Sequence, residues 1–246
     1  MDSSPHNSRY ELSINEIYTA LVTGTRPVFF QETEGDFIWG IGTLFLAQWG
    51  GKQFAITAKH VIDNQGVNPQ HLRIFIPGYK VALPLVGAST SNHPNHECRE
   101  EVEDIFVWQI DKEPDFGGEE LSWHTWRMKE FWMPANILKT GQQIFAVGYP
   151  DVDNRYDYEA MKLETPPLIA IGKLSSDQLG NDVYTIDCDD FTCDLNGISG
   201  GPVFARFDGY FFYVGMIVRA GRIAQKIHFV DAIYVTLLLD QIEKNS

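Results

Sequence analysis

The sequence predicts an all-β chain, two sheets or barrels followed by a C-terminal helix. Three observations predict it. Short apolar runs recur along most of the 246 residues, separated by Gly, Pro, Asn and Asp. Aromatic residues make up 13% of the chain, and with many β-branched runs they favour strands. Strand-like runs occupy both halves, a loop-rich stretch at 111–141 lies between them, and only the last segment has helical character.

The elements follow in order. Residues 1–14 form a polar N-terminal segment expected to be flexible. Phe37–Leu46 reads as a strand containing Gly40-Ile41-Gly42, and Phe54–Thr57 as its partner across a turn at Gly50-Gly51. Leu72–Pro77 and Lys80–Val86 flank Gly78 as a hairpin. Thr90–Glu103 is a polar, acidic loop, and Ile105–Ile110 is again a strand. Ile144–Val147 ends at Gly148-Tyr149-Pro150, a turn signal. Leu168–Leu174, Val183–Asp187, Pro202–Phe207, Tyr210–Val218 and Lys226–Phe229 complete the strands. Ala232–Ile242 is a helix, its apolar residues recurring at Ile233, Leu237 and Ile242 with Leu238 and Leu239 between.

Composition narrows the function classes. Hydrophobic residues at 44% are enough to fill a sizeable core. The net charge of −14 repels phosphate backbones and anionic headgroups, so neither nucleic acid nor a membrane is expected as a partner. A basic peptide or protein would instead be steered towards this surface. Three cysteines, Cys98, Cys188 and Cys193, do not make a disulfide framework. The start lacks a basic and an apolar leader region, and no eighteen-residue apolar run occurs. These features lead to the expectation of a cytoplasmic chain.

Three strings carry chemistry. Gly197-Ile198-Ser199-Gly200-Gly201-Pro202 surrounds a serine with residues that allow close approach and a tight turn. Such a turn can aim successive backbone N–H groups into one concavity, as a developing oxyanion requires. Alone, the string also occurs in ordinary turns. Ala55-Ile56-Thr57-Ala58-Lys59-His60 runs an apolar strand into small residues and then a histidine, with room for the ring to turn. Val102-Glu103-Asp104-Ile105-Phe106-Val107 opens an apolar strand with an acid. Bonded to a histidine N–H, that acid would fix the tautomer and stabilise the imidazolium. Singly, the histidine and the acid read as a structural hydrogen-bonder and a solvated strand cap. His93-Pro94-Asn95-His96-Glu97-Cys98 and Asp187-Cys188-Asp189-Asp190 gather ligand-type residues, but they read better as solvated loops than as zinc or calcium sites.

In this order the three strings resemble the chymotrypsin-like (trypsin-like) serine protease superfamily, in its intracellular, bacterial form. The spacings agree, 44 residues from His60 to Asp104 and 95 from Asp104 to Ser199. Val147-Gly148-Tyr149-Pro150 and Val214-Gly215-Met216-Ile217-Val218 resemble family landmarks, the latter the strand beside bound substrate. The resemblance spans residue 28 to the end. It implies one peptidase domain over 15–246: two six-stranded antiparallel β-barrels, about 28–120 and 135–230, and a C-terminal helix at about 231–243.

It further implies a serine endopeptidase acting on protein or peptide substrates. Ser199 would be the nucleophile, His60 its general base and Asp104 the orienting acid, with Gly197 and Ser199 N–H groups as the oxyanion hole. No metal or cofactor is implied. Cys193, Asp194, Arg219 and Ala220 fall where the substrate pocket is expected. Asp194 facing inwards would select Arg or Lys. Cys193 inwards would favour small or apolar residues, and Arg219 would attract an acid or pair with Asp194.

The chain departs from the pattern beside the nucleophile and beside the histidine. Secreted members carry an aspartate before the nucleophile that pairs with a freed N-terminus, and here Ile198 stands there. The disulfide that brackets the histidine in those members is missing, with Val61 at its place. The alternative implied function is a silent or latent trypsin-fold protein, binding peptides or awaiting a regulatory partner or an activating protease.

Overall fold

The computed structural model describes residues 14–31, 38–76, 81–111, 115, 118, 123–151, 156–157, 162–163, 166–188 and 194–245. The sequence-predicted flexible segment at 1–14 lies outside them except for Ile14, and so does Cys193. A helix the sequence did not predict, α1 (Ile14–Val22), opens the described chain and buries Leu21 in the core.

The first half is a sheet of β1 (Thr25–Pro27), β2 (Thr43–Trp49), β3 (Lys52–Thr57), β4 (Leu85–Thr90), β5 (Phe106–Ile110) and β6 (Trp126–Arg127). Its order is β1-β2-β3-β5-β4, with β6 added parallel to β2. The β2–β3 hairpin turns at Gly50 and Gly51, whose φ values of +56° and +78° suit a two-residue turn that matches strand twist. The strand expected from Phe37 begins at Thr43 as β2; Phe37 itself lies outside the described residues, and Gly40 and Gly42 take φ values that strand residues avoid, with Val61 filling the space beside Gly42.

The two short helices next to the site follow from this sheet. α2 (Lys59–Asp63) continues directly from β3, and α3 (Arg99–Val102) precedes β5.

The second half is a closed antiparallel barrel. β7 (Gln143–Gly148) is followed by a separate two-stranded ribbon, β8 (Tyr156–Asp157) and β9 (Lys162–Leu163). β10 (Leu168–Leu174), β11 (Val183–Cys188), β12 (Pro202–Phe207), β13 (Tyr210–Gly221) and β14 (Lys226–Asp231) then close on β7 in the order β10-β11-β14-β13-β12-β7. Ile144, Ile186, Val203, Val214, Ile217 and Phe229 fill its interior. Each contributes roughly 1.5–3 kcal/mol by leaving water.

Of the two barrels expected, the second half is closed, whereas the first half forms a six-stranded sheet that does not close among the described residues. The arms at Leu72–Ile76 and Val81–Leu83 pair through single bridges, Phe30–Leu72 and Phe75–Ala82, rather than through ladders. Their apolar side chains Leu72, Ile74, Ile76 and Leu83 are buried nonetheless.

The terminal helix α4 (Ala232–Lys244) packs against β13 and also reaches the first half, with Trp49 Nε1 donating to Asp240 at 2.9 Å. Its buried face is Tyr234, Val235, Leu238 and Leu239, whereas Ile233 and Leu237 turn outwards. The spacing at Ile233, Leu237 and Ile242 therefore marks mainly the outer face. The α4 N-cap is Asp231, which accepts from Ile233 N–H at 2.9 Å and from Ala135 N–H at 2.9 Å. Burial pushes its carboxyl up to about 6, against those two N–H bonds that pull it down. Among the described residues no helix is long and apolar enough to cross a membrane.

Candidate active site

His60 enters the site because β3 runs straight into α2. Thr57, at the end of β3, is fully buried and donates its hydroxyl to Thr43 O at 2.6 Å, which ties β3 to β2. Asp104 enters from the other side, in the short connection between α3 and β5.

Both carboxylate oxygens of Asp104 serve His60. Oδ1 accepts the His60 backbone N–H at 2.7 Å, and Oδ2 lies 2.6 Å from ring Nδ1. Asp104 O also accepts Lys59 N–H at 3.2 Å. An ionised carboxylate only accepts, so Nδ1 carries the proton and Nε2 keeps its lone pair as a base. The side chains are 35% exposed at His60 and 12% at Asp104, so the ring reaches solvent while its partner is largely covered.

Ser199 sits on the turn between β11 and β12, half-buried. His60, Asp104 and Ser199 line one cleft of about 360 Å³, with Leu195, Asn196, Val218, Arg219, Ala220, Glu100 and Glu101 completing its wall. Among the described residues no hydrogen bond joins Ser199 to His60. Gly197 takes a φ of +92°, where a Cβ would meet Tyr149 O at 2.7 Å, so the turn requires glycine there. Among the described residues neither Gly197 N–H nor Ser199 N–H has an acceptor within the protein. Two unmatched donors beside a nucleophile are what an anionic oxygen could use.

The structure brings Arg219 and Ala220 to the cleft wall, beside a register shift in β13 between Ile217 and Arg219. Such a bulge re-aims the side chains around it. Asp194 is exposed, and its carboxylate accepts Asn196 N–H at 3.1 Å rather than lining the cleft. Arg219 instead faces Glu101 across the cleft, at 3.6 Å. Glu101 and Thr43 are site neighbours that sequence reasoning missed. An acid in an acidic loop and a threonine in a strand carry no distinguishing signal.

The His93–Cys98 loop is tied down by its own bonds. His96 Nδ1 accepts Cys98 N–H at 3.0 Å, and Nε2 lies 3.2 Å from Asp182, which also accepts the Tyr234 hydroxyl at 2.8 Å. Among the described residues no three His, Cys, Asp or Glu side chains are grouped to hold a metal.

Solved structures share this architecture over nearly the whole chain. Thermostable serine protease AL20, from an extremophilic microorganism, superposes with a TM-score of 0.53 at 17% identity, covering 91% of this chain and 98% of its own. Protease Anisep from Arthrobacter nicotinovorans gives a TM-score of 0.54 at 15% identity, covering 89% and 96%. The fold is that of a chymotrypsin-like serine protease. Neither a protein-family model nor a curated protein matches the sequence. In this protease fold the cleft wall is mixed in charge, with Glu100, Glu101 and Asp104 opposite Arg219.

Proposed function

We propose that this chain is a serine endopeptidase. The observation that carries the reading is the placement of Ser199 beside an Asp104-oriented His60 in one cleft, with unmatched N–H groups at Gly197 and Ser199. Ser199 Oγ attacks the scissile carbonyl carbon as His60 Nε2 takes the hydroxyl proton. The carbonyl π electrons move onto oxygen, which the Gly197 and Ser199 N–H groups receive. Collapse breaks the C–N bond, His60 returns the proton to the leaving amine, and water then hydrolyses the acyl-enzyme by the same route. Asp104 stays ionised throughout and stabilises the imidazolium.

The substrate is an extended protein or peptide segment laid along β13. Val218 and Ala220 offer it apolar contact, and Glu100 and Glu101 favour basic side chains nearby. Hydrolysis of a fluorogenic peptide library by the wild type, with Ser199→Ala as its control, tests the reading. Turnover that Ser199→Ala abolishes supports it. Peptide binding with no turnover assigns the chain to recognition rather than hydrolysis.

A further inference from the structure

We propose that Thr43 is the positioning residue that holds the Gly197–Ser199 turn in its anion-binding form. It does so at a turn where Ile198 is apolar and buried. The inference rests on the serine-peptidase reading and adds a residue to it.

The turn is fixed through its carbonyls. Asn196 O accepts Asp151 N–H at 2.6 Å and Ile198 O accepts Gly201 N–H at 3.0 Å. Between them Gly197 O accepts the Thr43 hydroxyl at 2.9 Å, and just beyond, Ser199 O accepts Thr43 N–H at 3.0 Å. In a trans peptide the C=O and the following N–H point in opposite directions. Holding Asn196 O and Ile198 O on the protein side therefore turns Gly197 N–H and Ser199 N–H the other way. Thr43 holds the two carbonyls interleaved with those, so the four peptides are fixed as a set. It contributes two of the four donors, and both come from the first-half sheet.

The hydroxyl has little choice of partner. It carries one proton and accepts through its lone pairs. Tyr149 N–H donates to Oγ1 at 2.8 Å, and Thr43 has no exposed surface, so its proton goes to Gly197 O without competition from water. Thr43 O in turn accepts the hydroxyl of Thr57, on the strand that leads to His60, at 2.6 Å. One buried residue thus connects the strand that leads to the base with the turn that carries the nucleophile.

A lock is needed at this point of the chain. Gly197 stands at a φ of +92°, and glycine crosses between backbone regions at little cost. Ile198 is 1% exposed and packs over Gly148, so no charge at that position can order the turn. The Gly197–Ile198 peptide makes a long bond from Ile198 N–H to Leu195 O, at 3.3 Å, and the Thr43 hydroxyl holds its carbonyl from the first-half sheet at 2.9 Å.

The test compares Thr43→Val, which keeps the shape and removes the hydroxyl, with Thr43→Ser, which keeps the hydroxyl. Turnover is expressed per folded site, counted by active-site titration, and circular dichroism checks the fold. A peptide aldehyde supplies a tetrahedral adduct whose oxygen needs the same N–H groups. The proposal expects Thr43→Val to lower kcat about 10- to 100-fold, short of or near the loss of a direct oxyanion donor. KM should stay within about 2-fold, aldehyde affinity should fall with kcat, and Thr43→Ser should stay within about 3-fold of wild type. Unchanged kcat in Thr43→Val overturns the clamp. So does a Thr43→Ser variant as slow as Thr43→Val, or a loss wholly explained by fewer folded sites. In each of those cases an active wild type leaves the peptidase reading standing. A wild type that neither hydrolyses peptides nor binds the aldehyde overturns the peptidase reading and the clamp with it.

Discussion

Replacing Asp104 by Asn removes a charge and keeps the shape, and the site geometry dictates what happens next. The two oxygens of Asp104 accept from two donors on His60, the backbone N–H at 2.7 Å and ring Nδ1 at 2.6 Å. The backbone N–H has no alternative role. The introduced amide would therefore keep its carbonyl oxygen on that N–H and turn its NH2 towards the ring. Facing a donor, Nδ1 must become the acceptor, and the ring proton moves to Nε2. A ring protonated at Nε2 cannot take the Ser199 proton. The expected loss is about 10⁴-fold in kcat, the order that the wrong tautomer costs in Ser-His-Asp enzymes. That corresponds to about 5.5 kcal/mol of transition-state stabilisation. Steady-state peptide hydrolysis reads it, with KM changed little and melting temperature serving as the control for folding. An Asp104→Asn variant that retains more than about a tenth of wild-type kcat would refute the tautomer argument.

Other predictions concern the turn, the helix cap and the cleft wall. Gly200→Ala places a Cβ 2.2 Å from Thr43 O and Thr57 Oγ1 at a φ of +84°. It should cost about 3 kcal/mol or more and lower the melting temperature by roughly 6 °C or more, and a thermal melt within about 2 °C of wild type would contradict it. Asp231 titrates near 6 in the folded chain, well above an unfolded aspartate. The folded state therefore binds more protons between pH about 4 and 6, and the stability of wild type relative to Asp231→Asn should fall over that window by an amount of order 2–3 kcal/mol, then level off. Urea melts at stepped pH measure it, and a difference that is flat or rises with pH would count against the buried carboxyl. Arg219→Ala leaves Glu101 unmatched across the cleft. The freed carboxylate should shift peptide preference towards basic side chains by about 3- to 10-fold, as kcat/KM on paired substrates would show. A shift towards acidic side chains would reverse that assignment.

How much could be read in advance depended on how local the cause was. β12 appeared at its true limits, Pro202–Phe207, because an apolar run sits between two turn signals. His60 and Asp104 were legible because each stands where an apolar strand meets a polar break, and the hydrogen bonds between them bring the two side chains together. The missed features depend on distant partners. Among the described residues the first-half arms meet in single bridges rather than ladders, which no strand pattern encodes. α4 was found but its face was not, since Ile233 and Leu237 are as apolar as Leu238 and Leu239 and only burial against the rest of the fold separates them. α1 was hidden in a stretch whose polar beginning suggested no packing partner. Thr43 looks like any β-branched strand residue, and its role rests on the Gly197 and Ser199 carbonyls, far along the chain in the second half.

The proposed peptidase chemistry requires that the imidazole across the cleft activate the Ser199 hydroxyl. Incubating the chain with a fluorophosphonate and locating the adduct by peptide mass spectrometry asks this directly. A single adduct on Ser199 is expected, formed rapidly in wild type and slowed at least about 10³-fold in His60→Ala. An unmodified Ser199, or one that reacts equally fast without His60, would rule out activation by the imidazole.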